Sequence, residues 1–198
     1  GITITVGPNV AQDDMLEVWP SVYATTPILN VTTMGGAPMA YNQNQGAGAG
    51  ISWTSDGGFS VSANYVAING QIGEAGLGGI ATAGAGGTGT VQLGYQNDSW
   101  TLAATYSGMQ NGEGLFPYGT PLFVDSVQQN SGLTHAFGIG GSWQPLENGW
   151  IPSISAGWGI NTTEYEANVN RQGLVNVSQS WSIGLEWSDV LIDGHSIG

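Results

Sequence analysis

The sequence predicts an all-β fold, a transmembrane antiparallel β-barrel with eight strands visible along the chain. Three observations point there. Apolar and small polar residues alternate with period two over stretches of about ten residues, and that length spans a bilayer as a tilted strand. Charged residues make up only 8% of the chain, far below the roughly 25% usual in soluble domains. The face opposite the apolar one therefore lacks the Lys, Glu and Arg of a solvated surface. Links between the alternating stretches are short and long in turn, the plan of a barrel with tight turns at one end and large loops at the other.

Taken in order, the first strand is GITITV (1–6), followed by the longest link, 7–45. Inside that link, Asp13 and Asp14 precede Met15, Leu16 and Val18, and Pro20 ends the run, which reads as one short helical turn. Two placements weigh evenly for it: a solvated surface turn, or a loop folded into the barrel whose carboxylates narrow and charge a pore. The second strand, 46–54, puts Ala47, Ala49, Ile51 and Trp53 on one face. The third, 58–67, puts Phe59, Val61, Ala63 and Tyr65 there, with Ser60, Ser62 and Asn64 opposite and Val66 breaking the rule. In the fourth, 88–96, Val91, Leu93 and Tyr95 stand against Thr90, Gln92, Gly94 and Gln96; in the fifth, 99–107, Trp100, Leu102, Ala104 and Tyr106 stand against Thr101, Ala103 and Thr105. The sixth, 133–144, aligns Leu133, His135, Phe137, Ile139 and Trp143, and the seventh, 150–161, aligns Trp150, Ile154, Ala156, Trp158 and Ile160. The eighth, QSWSIGLEWS (179–188), sets Trp181, Ile183, Leu185 and Trp187 against Ser180, Ser182, Gly184, Glu186 and Ser188.

The short links, SDG after Thr54, ND after Gln96, PLENG after Gln144 and the stretch from Asp189 to Gly194, carry the Asp, Asn and Gly that tight turns favour. The long links are 7–45, 68–87, 108–132 and 162–177. Trp53, Phe59, Tyr95, Trp100, Trp143, Trp150 and Trp187 lie near the short turns, and Tyr65, Tyr106, Phe137, Trp158 and Trp181 lie six to eight residues further along the same faces. Two aromatic rows roughly 15 to 20 Å apart match a lipid-facing band, with Trp53, Phe59, Tyr95, Trp100, Trp143, Trp150, Trp181 and Trp187 expected at the lipid interface. In the link 110–132, Leu115, Phe116, Tyr118, Leu122, Phe123 and Val124 are too apolar to float in water, so the loop is expected to pack on the barrel wall or on a neighbouring subunit.

The formal net charge of −13, with Arg171 the single Lys or Arg, excludes a nucleic-acid partner, which needs a basic footprint. The absence of cysteine excludes disulfides, thiolate metal sites and Cys nucleophiles. GAGGTG (84–89) matches a dinucleotide fingerprint in letters, but a Gly/Ala stretch precedes it and a strand follows, so it reads as a loop. His135 and His195 have no neighbours at metal-ligand spacing, and a Ser/His site at His135 has no nucleophile motif beside it. No metal site, cofactor or enzymatic chemistry is expected. Four N-x-S/T sequons, at Asn30, Asn97, Asn161 and Asn176, fit chance in so Asn- and Ser-rich a chain. No apolar run of about 18 residues offers a transmembrane helix. The start at Gly1, without a basic or apolar leader, suggests an internal fragment whose export signal lies upstream or has been removed.

The phrases GPNVAQDDMLEVWPSVY, GFSVSANYV, LTHAFGIGGSWQP, GWIPSISAGWGIN and SQSWSIGLEWSDV resemble the major outer-membrane porins of marine cyanobacteria, relatives of the OprB-type carbohydrate-selective porins, across nearly the whole chain. The resemblance implies a barrel of about sixteen strands, a homotrimer in the outer membrane of a Gram-negative (cyanobacterial) cell, touching membrane lipid and lipopolysaccharide, behind a periplasmic wall-binding domain. Residues 1–198 would then be part of a single porin domain, with the wall-binding domain and the C-terminal strands outside this chain. The porins tend to carry basic residues near the Gly7–Pro8 step, where this chain has Asn9 and Ala11, so an anion- or sugar-binding role for that loop loses support. The function implied is passive diffusion of small hydrophilic solutes, inorganic ions and sugars, with Asp13, Asp14, Glu17 and Glu186 as pore-lining or constriction candidates. The rival expectations are an acidic β-sandwich acting as a carbohydrate-binding or adhesin module, and a non-channel structural barrel.

Overall fold

A computed structural model describes residues 1–20, 45–74, 76–80, 82, 86–111, 120–145, 150–188 and 196–198. Outside these lie His195, the Asp189–Gly194 turn, Leu115, Phe116, Tyr118 and most of PLENG. The described strands are β1 (Ile2–Ala11), β2 (Gln45–Thr54), β3 (Phe59–Ala67), β4 (Gly87–Gln96), β5 (Trp100–Gln110), β6 (Gly132–Trp143), β7 (Ser153–Tyr165), β8 (Val177–Ser188) and β9 (Ser196–Ile197). They form one antiparallel sheet in strict chain order, each strand paired with the next. All eight expected strands are present, and β9, two residues paired with Trp187 and Ser188, makes a ninth. The sheet is open, with β1 at one edge, so the described strands do not close into a barrel. Nor do they split into the two packed sheets that a β-sandwich requires.

Local chemistry explains the turns. Between β2 and β3, Ser55 Oγ accepts from the Phe59 amide at 3.0 Å, and Gly58 adopts φ +86°, which a side chain would resist. Between β4 and β5, Asn97 Oδ1 accepts from the Ser99 and Trp100 amides at 2.9 and 2.7 Å, closing a side-chain turn. β1 corrects the expected boundary at Val6: pairing with β2 resumes after a shift between Gly7 and Val10. Pro8 has no amide to give a ladder, and the sheet's edge strand absorbs that loss as a bulge.

The link between β5 and β6 holds a helix not anticipated as such, α1 (Pro121–Gln129). Thr120 caps it by accepting from the Phe123 amide, and Pro121 fills the first turn, where its missing N–H costs nothing. Asn130 leaves the helical region and ends it. Phe123 and Val127, one turn apart, are buried in a cluster with Met109 of β5 and Ala136 of β6, flanked by Ile68, Val124 and Val175. Full burial of two such side chains is worth about 1.5 to 3 kcal/mol each. The described part of this loop thus packs on the sheet, as its apolar content suggested.

The facing of the sheet is the reverse of a soluble one. Ile4, Phe59, Leu93, Ile139, Trp181 and Ile183 are exposed, Trp181 at 75%, while Ser62, Thr90, Gln92, Ser107 and Thr134 on the other face are at most 2% exposed. The apolar face is bare across most of its width. The polar face is covered by the stretch after β1 and by α1.

Candidate functional site

The polar face gathers the side chains with hydrogen-bonding capacity, and period-two geometry puts them there: Ser52, Ser60, Ser62, Asn64, Thr90 and Gln92 come from alternate positions of three adjacent strands. Onto this wall folds the stretch Gln12–Pro20, with a single 3-10 turn at Asp13–Met15. Gln12 is fully buried; its Nε2 donates to Asn64 Oδ1 at 2.9 Å, Thr90 Oγ1 at 2.9 Å and Thr88 O at 3.2 Å, and Asn64 Nδ2 returns a bond to Gln12 O at 3.3 Å. Further along, Gln92 Oε1 accepts from the Val18 amide at 3.0 Å and Gln92 Nε2 donates to Val18 O at 2.9 Å, mimicking a strand pairing with one side chain. Of the two evenly weighed placements, the structure departs from the solvated surface turn: the segment lies against the sheet's polar face.

Apolar contacts supplement the polar ones. Met15, Leu16 and Val18 are buried against the wall. Close approach depends on glycines in the sheet. A Cβ on Gly50 would lie 2.7 Å from Met15 Sδ, and one on Gly94 would overlap Val18 Cγ2 and Ser60 Oγ.

The four acidic candidates separate. Glu17 accepts a hydrogen bond from Ser52 Oγ, so its carboxylate rests on the polar wall. Asp13 is partly buried in the turn, and desolvation raises its carboxyl above the ordinary 3.8; the charge of Asp14 adds to the rise, and backbone hydrogen bonds oppose it. Asp14 points outward and is exposed. Glu186 sits on β8 opposite Ser153, on the same face but six strands from β2, where the Glu17 carboxylate rests on Ser52. Asp13, Asp14 and Glu17 therefore form a group, and Glu186 stands apart from it.

Sequence reasoning missed the amides. Gln12, Asn64 and Gln92 hold the inner segment, and the signal for the last two was their place among small polar residues at alternate strand positions. Across the rest of the wall, Thr90 and Ser107 hydroxyls pair at 2.7 Å, Thr134 and Thr163 at 2.9 Å, and Ser178 Oγ donates to Asn161 Oδ1 at 2.8 Å.

On the apolar face Trp53, Phe59, Trp100 and Trp181 are exposed, and Tyr95, Trp143 and Trp187 are half-buried. Trp150 is exposed in the β6–β7 link, where its carbonyl accepts from Trp187 Nε1 at 3.1 Å. Phe59 packs on Tyr95 and Trp100 on Trp143 across neighbouring strands, with ring centroids 4.8 and 6.4 Å apart. His135 lies on this face with its Nδ1 2.8 Å from the Tyr106 phenol oxygen and its ring stacked on Tyr106, so its partner is a tyrosine rather than a nucleophilic serine. Gly87 to Gly89 of the GAGGTG stretch begin β4, and no helix follows to bind a phosphate; residues 84 and 85 lie outside the described set.

Among the described residues, the arrangement offers a polar, acid-bearing wall on one side of a sheet and an apolar, aromatic-rimmed wall on the other. No protein-family model matches this chain, and neither a curated protein nor a solved structure matches it.

Proposed function

We propose that this chain is wall and constriction of an outer-membrane porin, a water-filled channel for passive diffusion of small hydrophilic solutes, inorganic ions and sugars among them. The observation that supports it most is the inverted facing: a continuous exposed apolar face rimmed by Trp, Tyr and Phe, backed by a polar face that carries an acidic inner segment. Apolar faces of this extent need lipid or protein to cover them, and aromatic rims favour the headgroup level. In this reading the polar face lines the lumen, the strands of a closed barrel cross the membrane, and the Gln12–Pro20 segment narrows the passage. The membrane is the outer membrane of a Gram-negative cell, with lipopolysaccharide and a homotrimeric assembly as the surroundings of the apolar face.

Fixed charge sets the preference. With 14 acids against one Lys or Arg, the field near Asp13, Asp14 and Glu17 concentrates cations and repels anions. Screening has a length of about 10 Å at 0.1 M salt, so the preference is strongest in dilute salt. The experiment is the reversal potential of the channel, expressed from its full reading frame, in a planar bilayer under a KCl gradient. Cation preference is expected for the native protein, and Asp13→Asn with Asp14→Asn and Glu17→Gln should reduce it at low salt. An unchanged permeability ratio would remove this segment from the constriction, and absence of conductance would remove the channel.

A further inference from the structure

A cavity of about 250 Å³ opens where the inner segment meets the short-turn end of the sheet, between Glu17 and Val18 on one side and Thr54, Ser60 and Gln96 on the other. Its polar lining is unusual in two respects. Ser60 is 5% exposed and its hydroxyl has no hydrogen-bond partner. Glu17, half-buried, accepts from Ser52 Oγ with one carboxylate oxygen. Thr54 and Ser60 face each other across β2 and β3. The chain's single Lys or Arg, Arg171, lies far off in the β7–β8 link, donating to Tyr165 O at 2.9 Å. The Gly1 ammonium, the other fixed cation, donates to Thr54 O and, at 3.3 Å, to Thr54 Oγ1, while Glu17 accepts from the neutral Ser52 hydroxyl; a half-buried carboxylate so placed draws a counterion from solution.

From this cavity we infer a binding site for a hydrated divalent cation of the Mg²⁺ type, which rests on the channel reading only for its role as a pausing point during permeation. Mg²⁺ gives up its waters reluctantly and is commonly held through one or two carboxylates while keeping most of its shell. One carboxylate with ringed neutral oxygens suits that habit. Glu17 binds the ion through its second oxygen, and the ion's waters donate to Ser60 Oγ and Gln96 Oε1. Since water occupies about 30 Å³ in the liquid, the cavity has room for the ion with several waters. A bare, multidentate Ca²⁺ cage would need more carboxylates than the cavity provides.

The probe is MgCl₂ titrated into the full-length protein in detergent micelles, read by calorimetry and by the ²⁵Mg linewidth. Glu17→Gln keeps an oxygen for Ser52 to donate to, and it should weaken Mg²⁺ binding about tenfold, the loss of about 1.4 kcal/mol. Ser60→Ala should weaken it by a smaller factor. Glu74→Gln, an exposed carboxylate in the β3–β4 link, should leave binding unchanged. Equal loss in Glu17→Gln and Glu74→Gln means diffuse counterion binding and overturns the site, as does a native protein that does not broaden the ²⁵Mg line. Planar-bilayer conductance separates this from the channel reading: conduction without Mg²⁺ binding overturns the site alone, and Mg²⁺ binding without conduction upholds the site while overturning the channel.

Discussion

Gly94 shows how one residue decides whether the inner segment can lie on the wall. It occupies a polar-face position of β4 directly beneath Val18, where a methyl group would collide with Val18 Cγ2 and Ser60 Oγ. Gly94→Ala should destabilise the protein by about 1 to 3 kcal/mol through overpacking. Gly89→Ala, five residues earlier on the same strand with ordinary 3.8 Å contacts around its added methyl, should cost less than about 0.5 kcal/mol, the range of surface substitutions. Denaturant midpoints of the refolded protein in micelles compare the two, and equal costs would show that the segment is not seated there. Asp13 gives a second residue-scale expectation. Its carboxyl is raised above 3.8 chiefly by desolvation, so the folded state holds the proton more tightly than the unfolded one. Its contribution to stability is complete below pH 3.8 and is lost as pH rises through the folded value. Asp13→Asn should flatten the fall in stability across the weakly acidic range above pH 3.8, measured by unfolding at stepped pH; an unchanged slope would assign the fall to other carboxylates.

At the scale of elements, each strand carries two incompatible surfaces, and β8 does so most cleanly. Ile183 is exposed on the apolar face between Trp181 and Trp187, and Ser182 beside it faces the polar side. If lipid covers the apolar face, Ile183→Arg should cost about 2 to 4 kcal/mol in vesicles, the penalty for a cation near the bilayer midplane, while Ser182→Arg costs much less. Reversible unfolding in lipid vesicles reads both, and equal costs would sink the membrane facing of β8. α1 obeys the opposite logic. The polar wall turns apolar just where Met109 and Ala136 stand, and those two positions seat Phe123 and Val127. The helix was legible in outline: Thr120 before Pro121, with Phe123 and Val127 four apart, is a cap followed by an apolar stripe. Its seat was not, because Met109 and Ala136 lie on different strands and meet only once β5 pairs with β6.

For the whole molecule, the open sheet is the dominant fact. Among the described strands, β1 meets no partner on its outer side and β8 meets none from Val177 to Glu186, since β9 pairs only with Trp187 and Ser188. Edge amides without partners exchange readily, whereas central ones exchange only through larger openings. Hydrogen exchange of this chain in micelles should therefore run fastest in β1 and along the outer edge of β8, and slowest in β4, β5 and β6. Uniform protection would show that another strand, from this chain's continuation or a second copy, completes the sheet, which is what a closed barrel requires.

By itself the sequence determined the eight main strands, which residues share a face, and the chemistry of the two described short turns after Thr54 and Gln96, because period-two alternation and Asn/Asp/Gly turn preferences are local properties that each segment carries alone. Its reading of one short helical turn within 11–20 stands for the same reason, the turn falling at Asp13–Met15. Tertiary structure decided what local pattern cannot encode. The extension of β1 beyond Pro8 depends on its being an edge strand, and the landing of Gln12–Pro20 depends on Asn64, Thr90 and Gln92 converging from β3 and β4. The separation of Glu186 from Glu17 follows from strand order. Each of these is a relation between residues distant along the chain, fixed by strand pairing and packing rather than by any segment's own preference.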